Sequence, residues 1–212
     1  MPQRPIGAAE FVPAHPSLNA LRQAAQQCRG CDLYRHATQA VLGEGPRRAR
    51  IVLIGEQPGN EEDLQGRPFA GPAGKVLDQA LRDARIDRSD IYVTNAVKHF
   101  KFEERGKRRL HKKPRPSEVQ ACRPWLEAEL GIVKPRITVC LGATAAQAML
   151  GNAFRLTRER GNFFEDPHAG LVTATVHPSA ILRAPDREQR HAQYEQFVAD
   201  LRAVKERLEA ER

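Results

Sequence analysis

The sequence predicts an α/β fold, a three-layer α/β/α sandwich around a central, mainly parallel four-stranded sheet. Four short apolar, largely β-branched runs recur along the chain, and stretches of helical character lie between them. A strand that reads as an unbroken apolar run is covered on both faces, the condition of a parallel sheet with helices on each side. At 212 residues, 41% of them hydrophobic, the chain is long enough to bury one ordinary core.

Residues 49–55 (ARIVLIG), 91–95 (IYVTN), 137–142 (ITVCLG) and 171–176 (LVTATV) are the four strands. Residues 73–84 form a helix that places Val76, Leu77, Ala80, Leu81 and Ala84 on one face. Residues 117–130 form another, with Ser117 and Gln120 spaced as a capping box. An Ala-rich helix follows at 143–150, and a long charged helix over 187–211 ends the chain. No internal repeat or low-complexity segment breaks the pattern, so residues 1–212 read as a single domain. Within it, residues 18–40 look like a segment docked on the sheet. The first seventeen residues hold three prolines beyond Pro2 and no apolar run, which is neither a signal peptide nor a membrane span. The expected setting is intracellular and cytoplasmic, nucleoid-associated, with thiols kept reduced and no membrane contact.

Charge is concentrated. Residues 98–115 carry nine basic side chains against Glu103 and Glu104, a net +7 where the whole chain has +8. A basic segment this local is a footprint for a polyanion, and nucleic acid fits better than an acidic membrane because no amphipathic basic helix or lipidation motif accompanies it. Lys107, Arg108, Arg109, Lys112 and Lys113 read as phosphate contacts. In their midst stands one imidazole, His111, which adds little charge at neutral pH.

The four cysteines are Cys28, Cys31, Cys122 and Cys140, spaced C-x2-C, then distant, then C-x17-C. One reading makes them buried apolar side chains. The other makes them a four-thiolate metal site, and the polar surroundings of Cys28 and Cys31 favour it. The second pair is too wide for a zinc knuckle, so an iron–sulfur cluster is the better fit.

Ligands of open parallel sheets bind beyond the carboxyl ends of the strands. Here those ends carry Glu56 and Gln57, Asn95 followed by the basic loop, the Gly142–Ala143–Thr144 turn, and His177-Pro178-Ser179. Glu56, Gln57, Asn95, His111 and His177 should therefore converge at one rim. Ser179 and the turn at Thr144 add candidate phosphate contacts near helix starts.

Gly55-Glu56-Gln57-Pro58-Gly59 after the first strand and His177-Pro178-Ser179 after the last resemble the two signature motifs of the uracil-DNA glycosylase superfamily. The cysteines resemble those of its iron–sulfur branch, family four. Residues 66–74 (GRPFAGPAG) and 92–98 (YVTNAVK) extend the resemblance over most of the chain. Hydrolytic members of that branch commonly have alanine where this chain has Gln57, and they lack the insertion ending in KRRLH at His111. Both departures resemble the UdgX group, whose members excise uracil and stay covalently attached to DNA through the loop histidine.

The resemblance implies roles that the residue chemistry supports. Uracil must leave the stack to be reached, most easily from single-stranded DNA. Phe69 would stack on the flipped base. Asn95 would accept from N3–H and donate to O4 of uracil, an edge on which cytosine presents the opposite donor and acceptor pattern. His177 would stabilise charge on departing uracil. Glu56 would shape the pocket and stabilise a cationic sugar or take a proton from His111, with Gln57 alongside it in the catalytic group. His111 would attack C1′ as a neutral nucleophile. The expected protein is a monomer that carries a structural [4Fe-4S] cluster on its four cysteines and is consumed by each uracil it excises. Two alternatives remain at this stage: a turnover glycosylase releasing an abasic site, and a non-catalytic iron–sulfur DNA-binding protein.

Overall fold

The computed structural model describes residues 7–210, so the last residue of the expected C-terminal helix lies outside the described residues. Its central sheet holds β1 (Ile51–Gly55), β2 (Ile91–Asn95), β5 (Ile137–Leu141), β6 (Phe164–Asp166) and β7 (Gly170–Thr175), in the spatial order β2-β1-β5-β7-β6. The first four in that order run parallel, and β6 pairs antiparallel with β7. The mainly parallel sandwich is thus the observed architecture, with five strands where the sequence suggested four. Phe164–Asp166 escapes a periodicity reading because it is three residues long and lies at the sheet edge, only part-buried.

Alternation along the strands divides the core. Ile51, Leu53, Ile91, Val93, Ile137, Val139 and Leu141 face one side, against α3 (Pro72–Asp83), α7 (Pro178–Leu182) and α8 (Arg187–Ala210). Val52, Ile54, Tyr92 and Cys140 face the other, against α4 (Pro116–Val133) and α5 (Ala143–Leu150). On that same side α1 (Leu18–Ala25) packs on α4, and a third apolar cluster gathers Leu21, Val97, Cys28, Cys31, Cys122 and Trp125. The N-terminal segment is docked there through its own core. No described helix is long and apolar enough to cross a membrane.

Two local expectations are corrected. The capping box of α4 is not Ser117 with Gln120. It is Arg115 with Glu118, whose carboxylate accepts the Arg115 N–H at 2.6 Å, because Pro116 occupies the first helical position and starts the helix earlier. The basic segment is also not an irregular loop. It folds into an antiparallel hairpin of β3 (Phe102–Arg105) and β4 (Arg108–His111), turned by Gly106 with φ of 60°.

The chain leaves β1 for β2 on one side and returns to β5 on the other, so the strand order reverses between β1 and β5. In such sheets the ligand crevice opens at that reversal, beyond the carboxyl ends.

Candidate active site

At the reversal, Glu56 follows β1 and one of its carboxylate oxygens accepts a short hydrogen bond from the Thr144 hydroxyl, in the first turn of α5. The hydroxyl expected near phosphate is therefore occupied in fixing the carboxylate. Gly55 lies against two neighbours at once. A Cβ there would stand 2.3 Å from Asn95 Oδ1 and 2.9 Å from Phe69 Cζ, so only glycine lets both side chains close over the strand end.

Phe69 adopts a left-handed φ of 55°, and Gly74 packs so closely that a Cβ would reach 1.7 Å from the Phe69 carbonyl oxygen. Glu62, which the sequence reading missed, ties this loop down. Its two carboxylate oxygens accept the N–H groups of Gly59 (2.9 Å) and Gly71 (2.7 Å), so the loop after β1 and the loop bearing Phe69 share one anchor. The Phe69 ring lies near that of His177, centroids 6.0 Å apart and planes at 24°. Asn95 is 3% exposed, and among the described residues its carboxamide has no hydrogen-bond partner.

The tautomer of His177 follows from its neighbours. The Ser179 backbone N–H donates to Nδ1 at 3.1 Å, with the Ser179 hydroxyl at 2.8 Å from the same nitrogen. A backbone N–H can only donate, so Nδ1 holds a lone pair and the proton sits on Nε2. Burial, with the charge of Arg183 and then of His111 adding to it, pulls the pKa down to about 4, so the ring is a neutral N–H donor at pH 7. Ser179, expected at phosphate, sets this orientation.

His111 stands on β4 with half of its side chain exposed. Its Nε2 lies 2.9 Å from Gln57 Nε2 and 3.5 Å from Glu56 Oε1. The Gln57 amide cannot be turned around. Its Oε1 accepts the Lys101 N–H at 3.0 Å, and its Nε2 donates to the carbonyls of Lys101 (3.2 Å) and Lys112 (3.0 Å). That nitrogen has two hydrogens for three neighbours, the two carbonyls and His111 Nε2, so one donation is shared; because an amide nitrogen does not accept, the lone pair faces it from His111 Nε2 and the proton sits on Nδ1. Burial lowers the pKa of His111, Glu56 opposes that shift, and Arg183 adds to it. Arg183, just after α7, reaches both histidines electrostatically. Nothing in the sequence beyond its charge marked it.

The hairpin that carries His111 is anchored three times. Gln57 clamps its open end, Lys101 pairs with Glu118 of α4 at 2.8 Å, and Arg109 reaches Asp63 at 2.6 Å and Asn60 at 2.8 Å in α2 (Asn60–Gln65). The Arg109 guanidinium also lies over the rings of Phe100 and Phe102, 5.5 and 5.0 Å from their centroids. Asp63 is fully buried and takes further hydrogen bonds from Thr38, another contact invisible in the sequence. Arg109, expected on phosphate, therefore points into the protein. Lys98 is likewise buried against Glu129, and Lys112 meets Glu103. Of the nine cations in the basic segment, Arg105, Lys107, Arg108, Lys113 and Arg115 are exposed without an ion pair among the described residues.

Of the cysteines, the structure brings three together. Cys28, Cys31 and Cys122 share one apolar cluster. The Trp125 indole N–H donates to Cys28 Sγ and the Lys98 backbone N–H to Cys122 Sγ, each at 3.2 Å, and the Leu33 backbone N–H bonds to the Cys31 sulfur. N–H donors of this kind stabilise thiolate ligands and tune the metal they hold. Without a metal, burial pushes the Cys122 thiol up to about 12. Cys140 stands apart in β5, packed with Val52, Ile54, Leu126 and Ala174, and burial alone raises its pKa. Among the described residues no three His, Cys, Asp or Glu side chains form a site for a single metal ion. A cluster of several irons spreads its ligands more widely, and three of the four expected ones suit it.

Residues 42–202 match the family described as the uracil DNA glycosylase superfamily. The chain belongs to that superfamily. It is 36% identical over 183 residues to a type-4 uracil-DNA glycosylase of Archaeoglobus fulgidus, covering 82% of this chain and 88% of the relative. A type-4 uracil-DNA glycosylase of Thermotoga maritima is 37% identical over 174 residues, covering 82% and 87%. Similarity extends more weakly to a type-5 uracil-DNA glycosylase of Thermus thermophilus, 32% identical over 146 residues.

Proposed function

We propose that this superfamily member excises uracil from DNA, with a preference for single strands, and then captures the sugar through His111. The observation that carries the capture is the His111 ring, held by Gln57 with a lone pair on Nε2 beside Glu56 at the site. The observation that supports uracil as the base is the Asn95 carboxamide, which no described residue hydrogen-bonds, beside Phe69 and His177 at the strand ends.

The flipped uracil stacks on Phe69, gives its N3–H to Asn95 Oδ1 and accepts at O4 from the Asn95 amide. As the C1′–N1 bond breaks, its electron pair moves onto uracil, where the Nε2–H of neutral His177 donates to the developing oxyanion at O2. Glu56, held by Thr144, faces the cationic sugar. The His111 lone pair then leaves Gln57 and forms the new bond to C1′. Loss of the Nδ1 proton to water leaves a neutral N-glycosyl imidazole, a poor leaving group, and the adduct persists. Arg105, Lys107, Arg108, Lys113 and Arg115 supply sequence-independent attraction to phosphates. Cys28, Cys31 and Cys122 hold a [4Fe-4S] cluster that ties the N-terminal segment to α4. The protein acts as an intracellular monomer.

The test mixes wild-type protein and His111→Ala with uracil-containing single-stranded DNA and separates them on a denaturing gel. A uracil-dependent adduct lost in the variant is expected. Free abasic product from wild-type protein without adduct would mean a turnover glycosylase, and neither product would mean a non-catalytic DNA-binding protein.

A further inference from the structure

A groove of about 660 Å³ opens between α4 and α5, within the about 300–1,000 Å³ of pockets that take small organic ligands. Its walls are two helix faces. Val119, Gln120 and Arg123 recur at the spacing of one face of α4, and Thr144, Gln147 and Ala148 at that of one face of α5. The buried side chains of Ala96 and Leu126 line it as well, so much of its surface is apolar. Lys113, Arg115 and Arg123 bring three cations, and among the described residues no carboxylate lines the groove. Arg123 meets Glu127, whereas Lys113 and Arg115 are exposed without an ion pair among the described residues. An apolar slot bordered by free cations suits a flat, weakly polar ring carried on a phosphate backbone.

The groove is also continuous with the active site. Thr144, on its wall, gives its hydroxyl hydrogen to Glu56. Ala96 directly follows Asn95, and Lys113 stands two residues beyond His111. A strand whose uracil sits between Asn95 and His111 therefore passes this opening with a neighbouring nucleotide.

We infer that the groove is a second nucleotide subsite, in which a base flanking the uracil of single-stranded DNA lies against Val119, Leu126 and Ala148 while its phosphate meets Lys113 and Arg115. The inference rests on the reading that this chain excises uracil from DNA. Apolar contact accepts any base and phosphate contact carries no sequence information, so the subsite reads strandedness rather than sequence. A base lodged between the helices has left its complementary strand, and in a duplex that requires a second base pair to open. The groove thus gives a preference for single strands its physical cause.

The test uses the full-length protein and strands with a single uracil, in which one neighbouring nucleotide at a time, on either side, lacks its base. The rate of uracil release is read with dilute protein in excess of DNA, on each strand and on the matching duplex. For wild type, removing the base at one position on one side should slow release about fivefold, the low end for a base held without an aromatic face. Ala148→Trp fills the groove; once its thermal melt shows it folded, it should ignore the missing base and narrow the ratio of single-strand to duplex rates by the same factor. Wild-type release that ignores every flanking base would overturn the subsite while leaving uracil excision standing, and that result depends on no variant. A rate ratio unchanged in folded Ala148→Trp would overturn it too. If an aspartate-rich peptide ending in phenylalanine shifts the amide resonances of Gln147 and Ala148 and the strand does not, the occupant is a protein and the subsite falls. No uracil release from any strand would overturn the subsite and the reading it rests on together.

Discussion

Replacing Gln57 with alanine removes the clamp on the open end of the hairpin and leaves Phe69, Asn95 and His177 untouched. Three hydrogen bonds to backbone are lost: the one accepted from Lys101 N–H at 3.0 Å and those donated to the carbonyls of Lys101 at 3.2 Å and Lys112 at 3.0 Å. Each contributes about 0.5–1.5 kcal/mol net, so docking of the hairpin weakens by about 1.5–4.5 kcal/mol. At about 1.4 kcal/mol per factor of ten, the docked form loses about one to three orders of magnitude against the undocked one. The contact that holds the His111 lone pair disappears with it. Uracil release should continue, because Glu56, Phe69, Asn95 and His177 keep their positions. Capture should fail in proportion, since water reaches the sugar when His111 is displaced. The assay follows free uracil and the denaturant-resistant adduct together, with amide hydrogen exchange over the hairpin as a structural control. Adduct formed at the wild-type rate, with hairpin amides as protected as before, would refute the clamp.

Asp63→Ala leaves the Arg109 guanidinium without its carboxylate, and loss of a partner from a buried pair costs about 3–5 kcal/mol; because Arg109 keeps a path to water, the low end is expected as a fall in urea midpoint. An unchanged midpoint would mean that the pair is immaterial. Gly55→Ala forces a methyl group onto Asn95 Oδ1 and Phe69, and should lower excision at least tenfold while costing about 1–3 kcal/mol of stability; normal excision would show that these side chains need not close over the strand. The histidines set a pH dependence. His177 has its folded pKa depressed to about 4 from an ordinary 6.5, so the unfolded chain takes up the proton first and the folded state does not. Its contribution to stability is complete above pH 6.5 and is lost as pH falls from 6.5 toward about 4, which denaturant midpoints across that range will show for wild type and not for His177→Gln. Adduct formation, which needs neutral His111, should hold through pH 6.5 and decline only below it, because that pKa too is lowered. A decline centred above 6.5 would contradict the lowered pKa of His111.

By itself the sequence determined the sandwich, the strand ends and the rim on which the candidate site residues gather. Residues 91–95 and 143–150 coincide with β2 and α5, the strand because both its faces are buried, the helix because glycines with positive φ bracket it. Glu56, Asn95 and His177 could be placed at this rim for the same reason, Asn95 as the last residue of a buried strand and the other two as the first polar groups beyond one. Other features depended on neighbours distant in the chain. Phe102–Arg105 and Arg108–His111 carry too few apolar residues to announce strands, and they pair because Gln57, Glu118 and Asp63 hold them from outside. Arg109 and Lys98 counted as surface charge until Asp63 and Glu129 were seen to face them. The spacing of four cysteines said nothing about direction. Cys140 belongs to a strand whose alternate residues face opposite layers, so its sulfur is committed to the core between the sheet and α5. Periodicity encodes which face of an element is buried. Which partner meets it there is decided only when the layers close.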